Sequence, residues 1–147
     1  MILFQRPIYS APVGTITFPN VYNAINPPPL RWLLTDLWMT AIPGSRLNVL
    51  ELESKVTQSD EPGLWVTHGH MLEIVRWCDQ MIDGEFLGHL TTGNPEAFAP
   101  VVRIDFFDST TATVVIDETI INPSKELAIL LGPGVAQSHM MTRDTLI

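Results

Sequence analysis

The chain has 147 residues, enough for one domain with a sizeable buried core. Hydrophobic residues make up 46% and charged residues only 16%, below the quarter usual for soluble domains, so part of the surface is expected to lie against neighbours. Sixteen acidic against eight basic residues give a net charge of −8, and the basic residues nowhere cluster. Counterion release from a nucleic acid and attraction to an anionic membrane both need such clusters, so neither partner is expected.

Residues 1–29 read as an extended arm. Pro7, Pro12, Pro19 and the Pro27-Pro28-Pro29 triplet break helical patterns, because each proline lacks a donor and restricts its predecessor. Phe4, Tyr9, Phe18 and Tyr22 stand between them, too apolar a set for a disordered tail. Such an arm covers either its own domain or a neighbouring subunit. In the second case, removing residues 1–25 leaves a folded core and weakens assembly.

From about 30 to 42 the chain predicts an amphipathic helix. Leu30, Leu33, Leu34, Leu37, Trp38 and Ala41 recur at helical spacing, and Pro43-Gly44 ends the run. Ser45 to Val56 reads as a strand, with Leu50 and Leu52 alternating with Glu51 and Glu53. A second helix is predicted over about 67–83. Its stripe is Met71, Ile74, Val75, Cys78, Met81 and Ile82, with Thr67 as N-cap and Gly84 as the stop. Residues 84–100 read as an irregular link punctuated by Gly88, Gly93, Pro95 and Pro100.

Residues 101–121 predict a β-hairpin with a three-residue loop at Ser109-Thr110-Thr111. Phe106 then faces Val114, Ile104 faces Ile116, and Arg103 meets Asp117 on the other face. Residues 124–131 are too short to separate helix from strand. Gly132-Pro133-Gly134 closes the folded part, and 135–147 resemble a second extended end. The expected architecture is therefore α+β: a small antiparallel sheet packed with two helices as one domain over 30–134, flanked by two arms.

Chemistry is sparse. Cys78, the sole cysteine, lies on an apolar stripe and reads as a small buried hydrophobe. His68-Gly69-His70 has the residues of a metal pair. At a helix start, however, positions i and i+2 point about 200° apart and cannot share an ion. Nucleophile elbows, dinucleotide fingerprints and phosphate loops are all missing from the sequence. Asp105, Asp108, Asp117 and Glu118 gather at the hairpin, where Asp108 serves the turn and Asp117 serves Arg103. No metal or cofactor is expected.

The first three residues after the initial methionine form too short an apolar run for a signal peptide, and no run is long enough to span a membrane. Low charge, 12 prolines and two apolar, irregular ends suit a non-enzymatic subunit that works by protein contacts. In composition the chain resembles small accessory proteins of tailed-phage virions, such as tail-terminator, neck or capsid-decorating subunits. The resemblance rests on no motif and assigns no residue a role. It implies a virion protein assembled in a host cytoplasm, whose partners are copies of itself and other assembly subunits. The candidate interface residues are Phe4, Tyr9, Phe18 and Tyr22 at one end and Met140, Met141 and Leu146 at the other. The alternative is a cytoplasmic enzyme or ligand-binding domain that uses His68, His70 or His89.

Overall fold

The computed structural model describes residues 7–12, 16–59, 63–91 and 99–132. Its framework is a six-stranded antiparallel sheet in the order β1-β6-β5-β4-β2-β3. Four helices pack on one face, so the class is α+β, as the sequence predicts.

β1 (Ile8–Pro12) pairs with β6, and α1 (Phe18–Ile25) follows it. The helix forms where an extended arm was expected. Thr17 caps it, its hydroxyl accepting from the Asn20 N–H at 3.1 Å, and Pro19 occupies the first turn, where no hydrogen bond needs its missing donor. Asn26 ends it in the left-handed conformation, φ 53°. Phe18, Val21, Tyr22, Ala24 and Ile25 are all buried in the chain's own core. The Phe18 ring stacks on Phe86 at 4.7 Å and meets Phe106 edge-on at 5.7 Å. Burying a side chain of that size contributes about 1.5–3 kcal/mol before entropy. Within 1–29, the described residues thus belong to the domain, and removing residues 1–25 would remove part of its core.

The segment expected as a helix over 30–42 is strand β2 (Arg31–Ala41). Trp32 and Leu34 face the core, then a bulge at Thr35 shifts the parity, and Leu37 and Met39 face it instead. That single inserted residue spaces the apolar positions by three and four, which imitates a helical stripe.

The converse error lies next to it. The segment read as a strand is α2 (Val49–Gln58), capped by Asn48, whose side chain accepts from the Glu51 N–H at 3.0 Å. Leu52 and Val56, one turn apart, are its buried residues. Glu53 reaches across to accept from the Met39 N–H at 2.9 Å, which satisfies a backbone donor on β2. β3 (Leu64–Val66) pairs with the first half of β2.

α3 (His68–Trp77) starts at Thr67 as predicted, the Thr67 hydroxyl accepting from the His70 N–H at 3.1 Å. It ends well before Gly84. From Cys78 the chain is β4 (Cys78–His89), which replaces both the helix's last turns and the start of the supposed link. Bulges against β2 place Cys78 and Met81 three apart on the core face, so the strand prolongs the stripe of Met71, Ile74 and Val75. Gly84 and Gly88 are packing glycines, not punctuation. A Cβ at Gly88 would come within 2.7 Å of Val102 and 2.9 Å of Leu30.

β5 (Val102–Phe107) and β6 (Thr111–Ile116) form the expected hairpin, two places out of the predicted register. The loop is Asp108-Ser109-Thr110, with positive φ at Asp108 and Ser109 and the Thr110 N–H donating to Phe107 O at 2.9 Å. Phe106 therefore faces Ala112 and Ile104 faces Val114. The apolar face is as predicted, because a shift of two preserves parity. α4 (Lys125–Leu131) makes the last segment a helix, tied to the end of α1 through Ser124, whose hydroxyl donates to Ala24 O at 2.8 Å. No described helix is long and apolar enough to cross a membrane.

Candidate functional site

Strand pairing on the face away from the helices aligns side chains in rows. One row runs Ser10, Thr113, Asp105, Glu85, Asp36 across five strands. The next holds Ile8, Val115, Arg103, Leu87, Leu33 and Trp65. On the other side of the polar row, Trp38 stands opposite Asp83 and Phe107 opposite Thr111. Trp38 is 54% exposed and Phe107 69%.

Among the described residues, the three carboxylates of the polar row have one cation in ion-pair contact, Arg103. Arg103 pairs with Glu85 at 2.6 Å and with Asp105 at 2.9 Å, instead of with Asp117 as the predicted register required. Asp117 is buried and accepts from the Thr119 N–H at 3.1 Å. Thr35, pushed out by the bulge, donates its hydroxyl to Glu85. Asp83 accepts from the Asp108 N–H at 2.7 Å and so holds the hairpin turn against β4.

Burial raises the Asp36 carboxyl above the ordinary aspartate range, and Asp83 and Glu85 add to the rise. Asp105 is raised as well, again chiefly by burial. Arg103 opposes that rise, and Glu85 and Asp36 reinforce it. Side chains of Asp36, Glu85, Arg103, Asp105, Phe107 and Thr113 line a shallow depression of about 390 Å³. An arrangement of this kind attracts a cation or a cationic side chain beside the exposed Phe107 ring. Among the described residues no group of three or more His, Cys, Asp or Glu is arranged to hold a metal ion.

A second concavity, of about 430 Å³, lies between α2 and the β3 edge and is lined by Arg46, Asn48, Glu51, Lys55, Trp65 and His70 among others. Arg46 and Lys55 are exposed cations there and outnumber the exposed carboxylate Glu51, so the charge of its described lining leans opposite to that of the first. Behind it, the Arg31 guanidinium lies 4.6 Å from the centre of the Trp65 ring, and His89 meets the same ring edge-on at 5.1 Å. Burial lowers the His89 pKa, with Arg31 adding to the fall and the Leu87 carbonyl opposing it.

The histidines named from sequence are thus distributed. His70 lines the cleft, His68 opens α3, and His89 packs on Trp65. No hydrogen bond or ring contact joins any two of them among the described residues. Tyr9, Phe18 and Tyr22 are buried in the chain's own core and so do not present free anchors. The Tyr9 hydroxyl donates to Glu118 at 2.5 Å, and burial followed by Glu118 pushes its pKa up to about 12. Phe4, Met140, Met141 and Leu146 lie outside the described residues. Cys78 is buried as expected, its thiol pushed up to about 12 by burial and then by Asp79.

Sequence reasoning missed Asp36, Asp83, Glu85, Trp38 and Phe107 as one surface, and it missed Arg46 and Lys55 as another. The signal that existed was the alternation Asp83-Gly84-Glu85-Phe86, a strand pattern interrupted only by its glycine. No protein-family model matches the chain, and neither curated proteins nor solved structures show a match to it.

Proposed function

We propose that this chain is a non-enzymatic subunit of a large symmetric assembly that acts through protein–protein contacts. The compositional resemblance points to the tailed-phage virion, in a tail-terminator, neck or capsid-decorating position, with assembly in the host cytoplasm. The observation that supports this reading best is the open sheet face. Two large aromatic rings stand exposed beside a row of carboxylates for which Arg103 is the only ion-pair partner among the described residues. Exposed aromatics next to unsatisfied charge form a surface suited to a partner, because a partner removes apolar area from water and supplies the missing cation.

Light scattering behind a sizing column, across a wide concentration range, tests it. The expected result is an average mass that rises with concentration or sits at a ring-sized multiple of one chain. A mass of one chain at every concentration, together with saturable small-molecule binding in the His70 cleft, would replace this reading with a ligand-binding domain.

A further inference from the structure

The chain carries two exposed surfaces of opposite sign. The negative one is the depression on the open sheet face, where Asp36, Glu85 and Asp105 outnumber Arg103, and both oxygens that Arg103 contacts belong to Glu85 and Asp105. Asp36, exposed and beside Glu85 in the row, has no cation in contact among the described residues. The positive surface is the α2–β3 edge. Of the described basic residues, Arg103 is held by carboxylates, Arg31 lies over Trp65 and Arg76 over Trp77, and Lys125 opens α4. Arg46 and Lys55, like Lys125, are exposed and in no ion pair with a described residue, and of the described cations only these two share one cleft, with His70 and Glu51.

We propose that the open sheet face of one copy docks on the α2–β3 edge of a second copy, with Arg46 and Lys55 reaching the carboxylate row beside Trp38 and Phe107. The inference rests on the assembly reading above and names the partner. Charge complementarity selects a second copy: one protomer presents two long cationic side chains in no ion pair with a described residue, and the other a shallow acidic depression lined by the exposed Phe107, with Trp38 exposed on the same face. Arg46 is suited to the seat because a guanidinium both pairs with carboxylates and stacks on aromatic rings. The two surfaces consist of different residues, so the contact is head-to-tail. Each added copy leaves one free surface of each kind, and the series ends only if the rotation closes a ring.

The test uses two full-length variants and their mixture, with mass read by light scattering at low salt. Wild type should exceed a dimer at high concentration and lose mass as salt is raised, since the contact is electrostatic. Asp36→Lys and the double variant Arg46→Glu/Lys55→Glu should each fall to the mass of one chain. Mixed one to one, they should stop at two chains, because the first keeps an intact basic edge and the second an intact acidic face. That capped dimer also shows that both variants are folded. If Asp36→Lys does not fold, Trp38→Lys alters the same rim at an exposed position and should behave alike. A wild type that stops at a dimer, or folded variants that associate as the wild type does, would overturn the head-to-tail contact while leaving the assembly reading in place. A wild type that stays a single chain throughout would overturn both.

Discussion

Phe106 and Phe107 are adjacent in β5, yet the first is 3% exposed and the second 69%. The difference between them is the difference between the two faces of the sheet. On the inner face, Trp32, Phe86, Ile104, Phe106 and Val114 meet the four helices and form one continuous core. On the outer face the same strands present Asp36, Glu85, Asp105, Trp38 and Phe107. Parity along the strand, and not residue type, decides which aromatic ring stabilises the fold and which is left for another molecule.

The largest effect should come from the sharpest form of this contrast. Phe106→Ala removes a ring packed against Phe18 and should destabilise by about 3–5 kcal/mol, whereas Phe107→Ala should stay within about 0.5 kcal/mol. Urea unfolding of the two variants measures both, and equal losses would break the contrast between the faces.

Gly88→Ala comes next. Its added methyl meets Val102, Leu30 and Trp32 on the inner face, and overpacking of that kind costs about 1–3 kcal/mol. A neutral result in thermal unfolding would mean that the core around Gly88 yields more than its geometry implies.

Arg103→Met probes the outer face. It leaves Glu85 and Asp105 facing each other across the strand pair without a cation. Both groups are partly exposed, so the loss at neutral pH should be only about 1 kcal/mol or less. It should shrink as acid protonates the carboxyls, which paired urea curves at neutral and acidic pH would reveal.

The smallest effect belongs to Asp36, and its sign is opposite. Its folded pKa lies above the ordinary value of 3.8, through burial first and Asp83 second, so the folded chain holds that proton more tightly than the unfolded chain. This favourable term is fully present below pH 3.8 and is lost as pH rises through the raised folded value. Asp36→Asn should therefore stabilise at neutral pH, by about 0.5 kcal/mol or less because solvent screens an exposed group, with no gain at lower pH. A loss of stability at neutral pH would mean that Asp36 is held by a favourable contact instead.

What the sequence determined by itself was local. The apolar parity of Val102, Ile104 and Phe106 against Ala112, Val114 and Ile116 gave the hairpin, and the Thr67 hydroxyl gave the start of α3, because each depends on neighbours a few residues away. The class followed from these elements. Burial of Cys78 was legible too, although on a strand and not a helix.

The tertiary structure decided the rest. β2 and β4 imitate helices because bulges near Thr35 and Ile82 change the spacing of their apolar residues, and a bulge exists only against a partner strand. The proline-rich start became core because Thr17 and Pro19 can open a helix once Phe86 and Phe106 offer Phe18 a place to pack. The acidic face escaped notice for the same reason. Asp36, Glu85 and Asp105 lie far apart in the chain and become neighbours only through strand pairing, which no local pattern encodes.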